Sequence, residues 1–432
     1  MQGGQRYKTY CASVFAVTTL VMIIYLACIP LRSPGEWMRH LASIHFTVVD
    51  ALRPTNRSAR LYGVITSSYS RTENRSVATD FITSLPEGPE VNKTGRYVCM
   101  SNRNFDNRRV GNQLFNFAAM LHVAQLTGRR VAMVRHHPHG WLDRWFHVPV
   151  TRVNRIDTEL CPCFTIGEAA GLAYSEQIVL LRNRTDIVGK SLLAYNRDIA
   201  LLPNRTDIVG KSLLVQGWFQ SWKYTLGVES ALRYHLRLLP NVSAAIHSYL
   251  NQIRPPSWKG QNFSRIGVHV RAGDIMRRDK WSFGYTIPQR PYFEQAMSRF
   301  VSEQRQRGGG RIQFSVTSDS LQWVKKAINF TSIADQLNRA SSSTKNEVVV
   351  DVAHSEGHDA GFDLGLLSLC DGVIMSTGTY GWWGAWLANK TTIYYSGWPR
   401  AGSPLSRIFN RNEFFPPNWI SIGGPAFPCC QA

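Results

Sequence analysis

The stretch DGVIMSTGTYGWWGAWLANKTTIYYS, residues 371–396, reads as strand, turn, helix and strand in close succession. An apolar run at 372–376 ends in Ser376, Thr377 and Gly378; a helical pattern follows at 378–389, and a second strand-like run at 392–396 closes the unit. Short apolar strands joined by a helix form a parallel pair, because only a crossover brings the chain back in the same direction. The alternation extends upstream, with strands at 265–271, 311–317 and 347–352 and helical patterns at 291–305, 320–330 and 359–370. It predicts a parallel sheet covered by helices on both faces, an α/β architecture. Such sheets bind ligands at the carboxyl ends of their strands. His269, Arg271, Asp274, Ser318, Asp319, Ser376, Thr377 and Thr379 all fall there.

A second unit lies nearer the N-terminus. RYVCMSN at 96–102 reads as a strand, and NRRVGNQLFNFAAMLHVAQLTGRRVAMV gives a glycine turn, a helix over 112–127 and another strand. This is a βαβ pattern, so the chain is expected to hold two Rossmann-like domains facing a cleft, over 96–255 and 256–432. One repeat interrupts the first domain. NRTDIVGKSLL occurs at 183–193 and again, letter for letter, at 204–214. Two identical copies are too few for a solenoid, whose units need neighbours to bury a core. The second copy runs into VQGWFQSWKY and is the better candidate for structural register; the first reads as a surface loop.

Tyr10 to Leu31 contains no charged residue, long enough for a helix to span about 30 Å of hydrocarbon. Arg6 and Lys8 precede it and favour a cytoplasmic N-terminus. No clear small-x-small cleavage site follows. The expectation is a type II signal anchor: a tail at 1–9, a span at 10–31, and a stem at 32–95 rich in Pro, Ser, Thr and Arg. Asn56, Asn74, Asn92, Asn183, Asn204, Asn241, Asn262, Asn329 and Asn389 all stand in N-x-S/T sequons, which fits luminal exposure. Cys99, Cys161, Cys163, Cys370, Cys429 and Cys430 lie beyond the anchor and can pair in an oxidising lumen, with connectivity open. Cys161-Pro-Cys163 lacks zinc-knuckle spacing.

The formal charge of +20 attracts anions. The 49 Lys and Arg are spread along the chain without a long basic run, and the anchor and sequons place the bulk of the protein away from nucleic acid. In HVRAGD, Arg271 is a permanently charged fork suited to phosphate oxygens. His269 can donate to a phosphate or to a neighbouring loop; Asp274 can orient Arg271, cap a helix or accept a proton. The same residues equally suit a strand end with a solvated charge cluster. Gly111, Asn112 and Gln113 open a helix whose free N–H groups favour anions or sugar hydroxyls, or simply cap it. MSTGTYGWW at 375–383 can cradle phosphate around Gly378, Thr379 and Tyr380, but lacks the lysine of a P-loop. Asp319 can bind a base or ribose, or cap the helix beyond it. Trp382, Trp383 and Trp386, at helical spacing, suit a packed core better than a sugar platform. No Asp-x-Asp triplet, G-x-S-x-G elbow or H-E-x-x-H occurs.

Taken together, RRVGNQLFNFAA, VQGWFQSWKY, GVHVRAGD, FSVTSDSLQWVKKAI and DLGLLSLCDGVIMSTGTYGWWGAWLA resemble the galactoside 2-alpha-L-fucosyltransferases, a glycosyltransferase family 11-like group, over about residues 96–420. The resemblance implies a GT-B-like fold with an acceptor-side domain at 96–255 and a GDP-fucose-binding domain at 256–432. It implies a Golgi type II membrane enzyme that inverts the donor and needs no cofactor and no metal, with GDP-fucose and β-galactoside-terminated glycans as partners. Arg271 matches the first arginine of the family's H-x-R-R-x-D motif, while Ala272 stands where the second would be. On this reading Arg271, Gly378 and Thr379 stabilise the diphosphate, His269 supports it, Asp319 and Tyr380 hold guanine, and Asn112 and Gln113 face the sugar or acceptor. Asp274 is a candidate base. Two alternatives stay open: another GDP-fucose enzyme, alpha-1,6 or protein O-linked, and a non-catalytic luminal glycan-binding homologue.

Overall fold

The computed structural model describes residues 96–100, 109–134, 141–148, 150–153, 163–168, 178–181, 210–216, 219–342 and 346–428. The expected tail, anchor and stem lie outside these residues, as do the first repeat copy and Asn56, Asn74, Asn92, Asn183 and Asn204. Among the described residues no helix is long and apolar enough to cross a membrane.

The first half supplies β1 (Tyr97–Met100), α1 (Val110–Thr127), β2 (Arg130–Val134), α2 (Trp141–Trp145), β3 (Thr151–Val153), β4 (Cys163–Glu168), β5 (Ile178–Leu181) and β6 (Ser212–Gln216). They form a six-stranded sheet in the order β3-β2-β1-β6-β4-β5, parallel except where β5 runs against β4. β6 begins inside the second repeat copy. Two helices, α3 (Glu229–His235) and α4 (Pro240–Gln252), lead out of it.

The second half supplies β7 (Ser264–Val270), α5 (Arg278–Phe283), α6 (Arg290–Gln306), β8 (Gly310–Ser318), α7 (Leu321–Ala327), α8 (Phe330–Ser341), β9 (Val348–His354), α9 (Ala360–Ser368), β10 (Gly372–Met375), α10 (Thr379–Ala388), β11 (Thr391–Tyr395), α11 (Pro404–Ile408), α12 (Arg411–Phe414) and β12 (Ile420–Ile422). Its sheet runs β12-β11-β10-β7-β8-β9 and every pair is parallel. Counted from β7, this is the doubly wound Rossmann order, 3-2-1-4-5-6, whose direction of winding reverses between β7 and β10. Crevices for ligands open at such reversals. In the first sheet the winding reverses between β1 and β6.

The expected helix over 320–330 is α7, which ends at Ala327; α8, which begins at Phe330, was not expected. Asn329 separates the two in the left-handed region (φ 54) and caps α8 by accepting a hydrogen bond from the Ser332 amide. Asparagine tolerates that backbone because its short polar side chain bonds locally. The short strand β12 was not expected.

The tryptophans are core, as their spacing suggested. Trp382 and Trp383 are fully buried, and Phe115 of α1 lies 4.5 and 5.1 Å from their ring centroids. This aromatic joint locks α1 of the first half onto α10 of the second. Burial of side chains of this size stabilises by roughly 1.5–3 kcal/mol each. Arg233 of α3 finishes α10: its guanidinium lies over Trp386 at 4.4 Å and donates to the carbonyls of Trp386 and Leu387. The described sequon asparagines Asn241, Asn262, Asn329 and Asn389 are all exposed. Cys370 is a free buried thiol that donates to the Leu366 carbonyl, and burial pushes it up to about 12.

Candidate active site

The chain leaves β7 at Val270 and turns at once into a short helical turn at Gly273–Met276. Arg271 is therefore the first residue past the strand, beside the winding reversal. Its amide donates to Ser376 Oγ at 2.8 Å, which ties the end of β7 to the loop after β10. Its side chain is 15% exposed, and Nη2 donates to both oxygens of Asp274 at 3.1 and 3.3 Å. Tyr285 lies 5.5 Å beneath it. Nε is buried and has no hydrogen-bond partner.

The turn before α10 is shaped for close approach. Gly378 has φ 86, a conformation strained for any residue with a side chain. A Cβ there would stand 3.0 Å from Arg271 Nη1. The glycine thus lets the guanidinium lie against the turn. The helix it opens offers unpaired backbone N–H groups and its positive end to the same crevice.

Gly111, in the first turn of α1, meets that turn from the first half. A Cβ on it would lie 2.6–2.9 Å from the Thr379 hydroxyl and backbone, so the absence of a side chain sets how closely α1 and α10 approach. Next to it, Asn112 Oδ1 accepts from Thr379 Oγ1 and from Gln220 Nε2, each at 2.9 Å. Asn112 follows β1 and Gln220 follows β6, so the two winding reversals confront each other through this one oxygen. Gln113 does not line the surface; it is 1% exposed within α1.

The remaining residues singled out by sequence sit behind the crevice or at its edge. His269, on β7, is 4% exposed, and its ring lies 5.1 Å from that of Tyr380. A Cβ on Gly381 would touch its Nδ1, which has no partner. Burial, aided by Arg271, pushes this histidine down to about 3, so it is a neutral support beneath the turn. The Tyr380 hydroxyl is already used, donating to the Ala360 carbonyl at the start of α9. Asp319 is exposed past β8 and accepts the Ala272 amide at 2.8 Å, so one of its oxygens holds the loop. Ala272 itself is fully buried in the core and does not face the crevice.

Arg109, which sequence reasoning passed over, completes the cluster. It caps α1 and reaches across to Asp274, donating from Nη1 to Oδ1 at 3.0 Å. Burial alone would raise the Asp274 carboxyl, but the Arg271 and Arg109 guanidiniums outweigh it and hold the group below its ordinary value. Asp274 is thus a counter-ion to two cations, which makes it a weaker base than a lone carboxylate. The one sequence signal for Arg109 was its place beside Val110-Gly111. Among the described residues no cluster of three or more His, Cys, Asp or Glu is arranged to hold a metal.

The arrangement brings two guanidiniums onto one shared carboxylate between the two sheets, chemistry suited to an anion. Comparison with known proteins finds the following similarities. Residues 206–423 match the family described as glycosyl transferase family 11. Galactoside alpha-(1,2)-fucosyltransferase 1 of Bos taurus is 29% identical over 203 residues, 45% of this chain and 51% of the relative. Galactoside alpha-(1,2)-fucosyltransferase 2 of Mus musculus is 30% identical over 208 residues, 48% of this chain and 54% of the relative. The chain thus spans about half the length of these curated relatives. Among solved structures, POFUT1 in complex with GDP aligns at 13% identity and a TM-score of 0.42, covering 70% of this chain and 99% of that one. An Arabidopsis thaliana FUT1 variant in complex with GDP aligns at 14% and 0.41, covering 78% and 77%.

Proposed function

Because the chain belongs to glycosyl transferase family 11, we propose that it moves L-fucose from GDP-β-L-fucose to the 2-hydroxyl of a terminal β-galactoside, with inversion at the donor carbon. The relatives' names support the linkage, and the crevice supports the leaving group. The observation that carries the reading is Arg271: a largely buried guanidinium at a winding reversal, against a glycine turn that opens α10.

In the proposed reaction the glycosidic C–O bond breaks as charge builds on the departing diphosphate. Fixed donors aimed at that charge are the main electrostatic aid in a site that excludes water. Arg271 and the first N–H groups of α10 supply them. Gly111 and Asn112 close the crevice from the side where the sugar and acceptor would lie. On this reading the two α/β sheets form a GT-B-like pair, with the donor on the second sheet and the acceptor toward the first. We assign it no metal cofactor, and place it in the Golgi as a type II membrane protein on the apolar stretch and the sequons.

The direct test uses the full chain with labelled GDP-fucose and three acceptors: lactose, a core N-glycan and an unglycosylated folded protein domain. Transfer to lactose with an alpha-1,2 linkage is expected. Transfer only to the other acceptors would redirect the reading to an alpha-1,6 or O-linked enzyme. Donor binding without turnover on any acceptor would mark a non-catalytic homologue.

A further inference from the structure

Arg109 and Arg271 come from different sheets, yet their guanidiniums meet on one oxygen. Asp274 Oδ1 accepts Arg109 Nη1 at 3.0 Å and Arg271 Nη2 at 3.1 Å. One carboxylate faces two cations, so the cluster keeps a net positive charge. The two arginines are held very differently. Arg271 is 15% exposed and braced by Ser376, Gly378 and Tyr285, whereas Arg109 is 63% exposed and its side chain makes no other hydrogen bond or ion pair among the described residues. Its backbone, in contrast, is fixed: the Arg109 carbonyl accepts from the Asn112 and Gln113 amides at 3.0 and 3.2 Å as α1 begins. The result is a fixed backbone carrying an exposed guanidinium that rests on one carboxylate.

An exposed arginine–carboxylate pair contributes little, since solvent competes for both charges. A diphosphate brings more negative charge and presents paired oxygens that match the guanidinium fork. We propose that Arg109 is a second donor-contacting residue, which exchanges Asp274 for the outer, sugar-linked phosphate while Arg271 remains in place. The inference rests on the reading of the chain as a GDP-fucose transferase. The outer phosphate is its target because Arg109 enters from the sheet opposite the one that carries the nucleotide. Asp274 then serves to store the arginine near the crevice when no donor is bound. Ala272, buried behind the loop, adds no charge to the site, and the second cation arrives from the other half of the protein instead.

The test is calorimetric titration of the full chain with GDP and, separately, with GMP, for the wild type, Arg109→Ala and Arg109→Lys, alongside thermal melts. The wild type binds GDP. Arg109→Ala is expected to weaken GDP binding 10- to 100-fold while GMP affinity changes less than twofold, and Arg109→Lys to recover part of the loss because the charge is restored. An Arg109→Ala protein that binds GDP within twofold of wild type overturns the inference. So does an equal loss of GDP and GMP affinity with a lowered melting temperature, which would make Arg109 a strut between the halves. A wild type that binds no GDP would instead overturn the transferase reading beneath it.

Discussion

The side chains of Asn112 and Thr379, 267 positions apart, share a 2.9 Å hydrogen bond that joins α1 to α10. Asn112 Oδ1 also serves Gln220, so both halves of the crevice depend on it. Removing either partner leaves a buried or half-buried polar group unpaired, which costs about 1–3 kcal/mol. Asn112→Ala and Thr379→Val are each expected to destabilise by that order in urea unfolding. The double variant should show a coupling of about 0.5–1.5 kcal/mol, as contacting residues do. Strict additivity would mean that the bond contributes nothing.

At Gly111 a methyl group has nowhere to go. The atoms it would meet at 2.6–2.9 Å include the Thr379 carbonyl carbon and oxygen, which are backbone and cannot turn aside. Gly111→Ala should push α1 from α10 and destabilise by about 1–3 kcal/mol, the usual cost of overpacking. Because the same displacement widens the crevice, transfer activity should fall more than tenfold. A well-folded Gly111→Ala protein with full turnover would refute the close fit.

Acid should destabilise the protein through two buried histidines. Burial pushes His235 down to about 4 and His269 to about 3, against 6.5 when unfolded. Below 6.5 the unfolded chain takes up these protons and the native state does not, so stability falls as pH drops toward 4, at up to about 1.4 kcal/mol per pH unit for each group. Asp363 acts in the opposite sense. Burial pushes its carboxyl up to about 7, so the native state gains relative stability as pH falls from there to the ordinary carboxylate range. Glu229, raised by burial, acts with Asp363, and His122, lowered to about 4 by desolvation, acts with the two histidines. The histidines outweigh the carboxyls, and the melting temperature should drop between pH 6.5 and 4.5. His235→Leu should flatten that slope, because neither ring nitrogen of His235 has a partner to lose; an unchanged slope would exclude His235 as a source.

The duplicated segment should be dispensable. Leu181 at the end of β5 pairs with Thr165, which in turn pairs with Leu214 of β6. The chain therefore needs only to cross one strand, roughly 10 Å at the usual strand spacing. Deleting 183–203 removes one period and leaves Arg182 joined to a single NRTDIVGKSLL. The shortened connection of about nine residues spans that gap easily, at up to roughly 3.3 Å per residue. The deletion variant should melt at or above the wild-type temperature and keep its activity. Loss of both would show that the first copy has a structural role.

Sequence reading succeeded where the signal is local. Five strands of the second sheet, β7 to β11, are short runs rich in apolar and β-branched residues, and their observed limits fall within a residue or two of the expected ones. It failed where a feature depends on partners distant in sequence or on very few residues. β12 is three residues long and has no periodicity to detect. Asn329 reads as a helical position until its left-handed backbone is seen. Arg109 is one arginine among many until the fold brings Asp274, 165 positions away, to its side. Gln113 was expected to face the sugar or acceptor from the start of a helix, yet α1 begins at Val110 and its turn carries Gln113 inward.

The family match begins at residue 206, well after α1. A fragment cut at that boundary would keep Arg271, Asp274 and Thr379 but discard Arg109, Gly111 and Asn112, the residues that confront them. The part of the sequence that the family model matches and the two sides of the crevice are therefore not coextensive. Any transplant, chimera or minimal enzyme drawn from the match alone would carry one jaw of a two-jawed grip.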